Sequence, residues 1–179
     1  MPFKSKAHQA AVMMALKKDL LLTRHDTRGL QRVTSKSSIA KQGYYGRYNP
    51  FFSEIELAHP LRSRRLSHVM TGRHEVGHHV MTHLPDAAQT KVGNALLATE
   101  GKRTTIKMPL GSVSDSMHSV VFHYAHELFA DVFAHERNRR RLLARYPTAK
   151  LFSAPSPRTQ KTRDILAYAL RARKKRKKT

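Results

Sequence analysis

Two histidines and a glutamate are spaced as metal-assisted hydrolysis requires. The stretch from His74 to His78 has the pattern HExxH. In a helix, residues four apart stand one turn above each other on one face, so both imidazoles can reach one zinc ion at roughly 2.0–2.1 Å. Glu75, beside the first histidine, can take a proton from an attacking water without binding the metal. The alternative is a pair of surface histidines on a basic helix.

A later segment offers the third protein ligand that a catalytic zinc usually takes. Glu127 and Asp131 are four residues apart and share a helical face, and the apolar residues around them suit packing under the first helix. We expect Glu127 to be the third ligand of Zn²⁺. Asp131 would then accept a hydrogen bond from a ligand imidazole and fix its tautomer. The alternative is a helix with two solvent-facing acids.

These residues resemble zincin metallopeptidases whose third ligand is a glutamate. The likeness is strongest to the catalytic domain of the anthrax lethal factor type and its relatives in phage-borne and polymorphic bacterial toxins. In that family an E-x-F-A-[ED]-x-F stretch supplies the ligand, as Glu127–Phe133 would here. Residues 48–50 (Tyr-Asn-Pro) and 55–57 (Ile-Glu-Leu) match the family's edge strand, which runs beside the substrate cleft. The resemblance covers about residues 45–137 and implies a polypeptide substrate.

The resemblance also bears on which residue would stabilise the negatively charged oxygen of the tetrahedral intermediate in peptide hydrolysis, the oxyanion. The family carries a catalytic tyrosine about two turns before the glutamate ligand, where this chain has Val120. Tyr124 and His123 lie one turn before Glu127 instead, on its face. Either side chain can hydrogen-bond an oxyanion. Both are therefore candidate catalytic residues beside Glu75.

The rest of the chain reads as helices with little sheet. The alternation of apolar and acidic residues at 55–57 predicts a short, half-buried strand, and residues 26–46 read as loop. A second strand is predicted at 104–108. Helices are predicted over residues 6–22, 67–82, 92–99, 117–146 and 162–173.

These elements predict an α+β fold that is mostly helical. A minimal zincin-like domain at 46–146 would hold an active-site helix, a short edge strand and a ligand helix. A basic N-terminal arm (1–45) and a basic C-terminal tail (147–179) would extend it. The length suits one domain with extensions and is too short for two full domains.

The chain is strongly basic, with 34 Lys and Arg against 12 Asp and Glu and a net charge of +22 over 179 residues. Such a charge repels itself unless a partner neutralises it, and nucleic acid is the commonest one. Arg137–Arg145 holds five arginines and no acid, and Arg171–Lys178 holds seven Lys or Arg in eight residues. We expect both segments to bind a polyanion: DNA, RNA or an acidic protein surface. The alternative is a solvated tail or a nuclear address.

Several classes of protein are excluded by composition. The longest apolar run, Ala10–Leu16, has seven residues, which is too short for a membrane span of about 20 or for a classical signal peptide. The chain has no cysteine, which excludes disulfides, Cys-ligated zinc and thiol catalysis.

The opening residues, Met1–Ala7, resemble the start of many small basic bacteriophage proteins. This resemblance implies a phage-encoded protein that is found in the virion or the host cytoplasm, with other virion proteins among its partners. Without it, the expected location is the cytoplasm.

Two functions remain open. The first is a zinc-dependent metallopeptidase that hydrolyses peptide bonds by metal-activated water. The alternative is a basic virion structural or nucleic-acid-associated protein on a zincin fold, with a weak or vestigial metal site. The sequence has no aromatic-plus-basic RNA motif, zinc finger or P-loop, so sequence-specific reading of a nucleic acid has no support.

Overall fold

The structure, a computed structural model, describes residues 10–11, 14, 17–60, 65–101, 116–148 and 157–175. The fold is α+β and mostly helical, as the sequence predicted. Among the described residues, no helix combines the length and the apolar character that crossing a bilayer requires. The elements in chain order are β1 (Arg32–Ser35), a 3-10 helix (Ser37–Gln42), β2 (Gly46–Asn49), β3 (Glu54–Leu57), α1 (Leu66–Thr82), α2 (Asp86–Thr99), α3 (Ser116–Glu136), α4 (Arg139–Arg145) and α5 (Pro157–Lys175).

The sheet has the strand order β1-β3-β2. Strand β1 runs parallel to β3, with Val33 opposite Ile55, and β2 runs antiparallel to β3, with Tyr48 opposite Ile55. The strand predicted at 55–57 is confirmed, but it is the central strand of the sheet, and its residues are buried and not half-buried. The edge strand beside α1 is β2, so only the Tyr48–Asn49 part of the predicted edge strand lies there.

The prediction of a loop over residues 26–46 was wrong for residues 32–35 and 37–42. This stretch contains β1 and the 3-10 helix, which ends at Gly43 in the left-handed conformation (φ 82°). Strand β1 has four residues, Arg-Val-Thr-Ser, and only Val33 is buried. With only one buried apolar residue, a strand this short has almost no sequence pattern by which it could be predicted. Its stability comes from pairing with β3.

Three helix predictions hold with changed limits. Helix α1 starts one residue earlier than expected, α2 begins at Asp86, and α5 extends over Pro157–Lys175. The helix predicted over 117–146 breaks at Asn138, which adopts a left-handed conformation (φ 53°) and donates through Nδ2 to the Leu21 carbonyl at 2.7 Å. Residues 10–11, 14 and 17–19, within the predicted N-terminal helix, are helical. The strand predicted at 104–108 lies outside the described residues.

One apolar core joins the helices to the sheet. Its members come from the predicted central domain and also from both predicted extensions. Leu20, Leu22 and Leu30 bring the N-terminal segment into it, and Leu166 and Ala169 bring in α5. The segments before residue 46 and after residue 147 therefore contribute apolar side chains to the same core as α1 and α3.

Candidate metal centre

Helix α1, which carries the HExxH motif, packs across α3, which carries Glu127 and Asp131. A Cβ atom on Gly77 would lie 2.7 Å from the Ala130 Cα and 3.1 Å from its carbonyl oxygen. A larger residue does not fit at this separation, because the obstructing atoms belong to backbone. Gly77, the fourth residue of the motif, therefore sets the distance between the two helices.

The buried guanidinium of Arg73 fixes the other end of this helix pair. It donates through Nε to the Ala134 carbonyl at 2.6 Å and through Nη1 to the Leu20 carbonyl at 2.8 Å, and Nη2 donates to the Arg137 carbonyl. Two of these acceptors lie where α3 ends and its last carbonyls lack helical partners. Burial lowers the pKa of Arg73 to about 10, which still leaves it charged at neutral pH.

The helix packing brings the three predicted ligands together. The Nε2 atoms of His74 and His78 lie 3.0 Å apart. The Glu127 carboxylate spans both of them, with Oε2 3.1 Å from His74 Nε2 and Oε1 3.3 Å from His78 Nε2. Three potential ligand atoms from two helices therefore converge on one point.

The donor set and its spacing fit a zinc ion. Ligand atoms about 2.1 Å from a tetrahedral zinc are separated by about 3.4 Å, close to the observed separations. Two imidazoles and one carboxylate are a ligand set that catalytic zinc sites use, with one position left for water or substrate. The Glu127 side chain is 60% exposed, so the cluster is open to solvent on that side.

Asp131 holds the ring of His74 from the opposite side. Its Oδ1 lies 2.9 Å from His74 Nδ1, so Nδ1 donates and Nε2 is left to face the cluster. Burial acts to lower the pKa of His74, but the hydrogen bonds to Asp131 and Glu127 outweigh it and raise the pKa to about 10. Hydrogen bonds from His74 and His78 hold the pKa of the Glu127 carboxyl below its usual range. This pairing is the arrangement expected of a carboxylate that fixes the tautomer of a ligand histidine.

Glu75 is buried between α1 and the edge strand. A Cβ atom on Gly46 would lie 2.7 Å from Glu75 Oε1, so a larger residue at position 46 would force the Glu75 side chain to shift. Burial raises the pKa of Glu75, while His78, His74 and a hydrogen bond from the Tyr48 backbone counteract the rise. A carboxylate whose pKa is raised by burial, beside three candidate metal ligands, is suited to accepting and returning a proton.

A cleft of about 690 Å³ runs between β2 and α3 and has the cluster in its wall. His123, one of the two candidates for binding the oxyanion, lines this cleft. Tyr124, the other candidate, is not among the lining residues and is 40% exposed. The lining residues include Tyr44, Gly46, Arg47, Tyr48, Pro50, His74, Glu75, His78, Thr82, Gln89, Phe122, His123, His126 and Glu127.

Tyr44, Phe122 and His126 line the cleft and were not identified from the sequence. The His126 ring lies 4.3 Å from the Phe122 ring and 6.2 Å from that of His78, and burial lowers its pKa to about 4. Phe122 and His126 are four residues apart on the helical stripe next to that of Glu127, so the helix period could have indicated them. Tyr44 follows the 3-10 helix in a segment read as loop, where no periodicity marks it.

No protein-family model, curated protein or solved structure matches this chain. The chain's own residues and their geometry therefore carry the inference of its function.

Proposed function

We propose that this protein is a zinc-dependent metallopeptidase. The observation that carries the proposal is the convergence of His74 Nε2, His78 Nε2 and the Glu127 carboxylate within 3.0–3.3 Å of one another. Asp131 orients one of these ligands, and Glu75 is buried beside them at the wall of an open cleft. A structural zinc site is typically closed by four protein ligands, whereas three ligands facing a cleft are typical of hydrolytic sites.

Zinc bound there would supply Lewis acidity and a water of lowered pKa. Glu75 accepts one proton from the attacking water as the hydroxyl oxygen bonds to the peptide carbonyl carbon. It then delivers that proton to the amide nitrogen as the C–N bond breaks, leaving a carboxylic acid and an amine; the acid afterwards loses its remaining hydroxyl proton to solvent. His123 donates a hydrogen bond to the oxygen that becomes negative in the tetrahedral species.

The edge strand supports an extended polypeptide as the substrate. Within the described residues, β2 pairs with β3 on one side and no strand covers its other side. An open strand edge beside a cleft can bind a peptide as an additional strand. Tyr44 and Tyr48 border the cleft along this strand and would contact side chains of such a peptide.

The test compares Glu75→Gln with Glu127→Ala in zinc-loaded protein. Release of new amino termini from a denatured polypeptide measures activity, and elemental analysis measures zinc. Glu75→Gln should keep about one zinc per chain and lose at least about 100-fold in activity, because it removes the proton acceptor and no ligand. Glu127→Ala should lose the zinc itself.

Asp86→Ala is the matched control, since Asp86 is an exposed acid at the start of α2 outside the cleft. It should retain both zinc and activity. Activity that survives Glu75→Gln would contradict the mechanism. A wild-type chain that holds zinc and cleaves nothing would contradict the enzymatic function and favour a structural metal site.

A further inference from the structure

Helices α4 and α5 enclose a second cleft, of about 600 Å³, whose charge is very uneven. Five arginines line it against a single carboxylate, that of Glu136. None of its lining residues belongs to the metal cluster. The lining residues include Glu136, Arg137, Asn138, Arg139, Arg140, Arg141, Leu143, Arg163, Leu166, Ala167 and Leu170.

Glu136 organises two of these arginines. Its side chain is 3% exposed, and it pairs through Oε1 with Arg139 Nη1 at 2.7 Å and through Oε2 with Arg163 Nε at 2.8 Å. Arg139 belongs to α4 and Arg163 to α5, so one buried carboxylate holds a guanidinium from each wall. The single negative charge of Glu136 balances only one of the two guanidinium charges, so the group of Glu136, Arg139 and Arg163 keeps a net charge of about +1.

Arg140 and Arg141 add two further positive charges, and both side chains are exposed. They follow Arg139 directly in the chain and line the same cleft. The cleft therefore combines a rigid cationic pair with two solvent-facing arginines.

Three arginines of the basic segments, among them Arg137 of the cleft lining, have partners within the chain. Arg137 pairs with Asp26 at 2.9 Å, and Arg145 donates to the Asp19 carbonyl at 3.1 Å. Arg173 donates to carbonyls of His25, Asp26 and Arg28 at 2.6–2.9 Å. These three side chains hold the N-terminal segment in place, so they are not free to bind an outside polyanion.

We propose that the α4–α5 cleft binds the sugar–phosphate backbone of double-stranded nucleic acid. A guanidinium can contact a phosphate through two parallel N–H donors, whereas a lysine ammonium acts as a point charge. Binding to phosphate would therefore explain why the cationic residues of the cleft are arginines. Among the described residues that line the cleft, none is aromatic. Proteins that bind single strands stack the bases on aromatic side chains, and the described lining of this cleft offers none for that purpose. Contacts to phosphate carry no information about base sequence, so we expect binding to be independent of sequence.

The test is the salt dependence of binding to a short mixed-sequence DNA duplex. Each phosphate neutralised contributes about −0.9 to the slope of log K against log salt, so Arg140→Ala with Arg141→Ala should flatten the slope by about 1.8. The reduction should be the same for duplexes of different sequence. Both side chains are exposed, so the melting temperature and the zinc content should not change.

The control is Arg24→Ala with Lys41→Ala, which removes the same charge from exposed positions outside the cleft. It should leave the slope nearly unchanged. Equal flattening by both pairs would show that only net charge matters and would overturn the site, as would an unaltered slope in the cleft variant. Stronger binding to polyglutamate or to a single strand than to the duplex would overturn the assignment to duplex nucleic acid.

Discussion

Replacing Gly77 by alanine tests whether the close packing of α1 and α3 brings the three candidate metal ligands together. The new Cβ atom would lie 2.7 Å from the Ala130 Cα, where ordinary contact needs at least 3.4 Å. Since Ala130 Cα is backbone, no rotamer change relieves the contact. The helices must move apart or deform.

The size of the effect follows from two opposing terms. Overpacking a core costs typically 1–3 kcal/mol, and a contact with backbone belongs at about the upper end. Alanine gains about 1 kcal/mol over glycine in a helix interior. We therefore expect Gly77→Ala to destabilise the protein by about 2 kcal/mol.

Zinc binding should weaken along with stability. Glu127 moves with α3 whereas His74 and His78 move with α1, so separating the helices opens the ligand set. If binding must restore the native spacing against the full strain, about 2 kcal/mol corresponds to a loss of roughly 30-fold in affinity. Denaturant unfolding measures the first effect, and competition with a chromogenic chelator measures the second.

Gly72→Ala on the same helix is the control. Its Cβ would lie 2.8 Å from Leu20 Cδ2, at the end of a side chain that can rotate. We expect a change in stability within about 1 kcal/mol, because the helix propensity gain offsets the adjustment of Leu20. The reasoning is refuted if Gly77→Ala matches the wild type in both stability and zinc affinity, or if Gly72→Ala weakens zinc binding equally.

Two further outcomes are expected. Asp131→Ala should weaken zinc binding by about 10–100-fold, since the His74 ring loses its orienting partner, and chelator competition that shows an unchanged affinity would contradict this role. Burial, with the nearby charge of Arg173, lowers the pKa of His79 to about 3. In the unfolded chain the His79 imidazole has a pKa of about 6.5, so as the pH falls it binds a proton in the unfolded state before it does so in the folded state. The free energy of unfolding that His79 contributes is therefore lost as the pH falls from about 6.5 to about 3, by up to about 1.4 kcal/mol per pH unit. His79→Gln should reduce this pH dependence in denaturant titrations; an identical slope would rule out His79 as its source.

The sequence alone determined which residues share a helical face. His74 and His78, like Glu127 and Asp131, are four apart, and the helical period is a local property that needs no tertiary contact. The α+β class and the main helices followed from the same patterns. The candidate ligands could therefore be chosen from the sequence before the fold was known.

Short elements that depend on a partner were missed or misplaced. Strand β1 has little local signal and exists because β3 pairs with it. The break at Asn138 is stabilised by a hydrogen bond to the Leu21 carbonyl, more than a hundred residues earlier. The sequence could not show that residues 55–57 form the central strand, because strand order depends on which segments meet in space.

Only the tertiary structure divided the arginines into structural and exposed ones. Arg137, Arg145 and Arg173 look like Arg140 in the sequence, but carbonyls and a carboxylate of residues 19–28 accept their hydrogen bonds. Likewise, the spacing of the HExxH motif could not set how closely a second helix approaches. That distance depends on Gly77 meeting the backbone of Ala130, and it brings the Glu127 carboxylate to the two imidazoles.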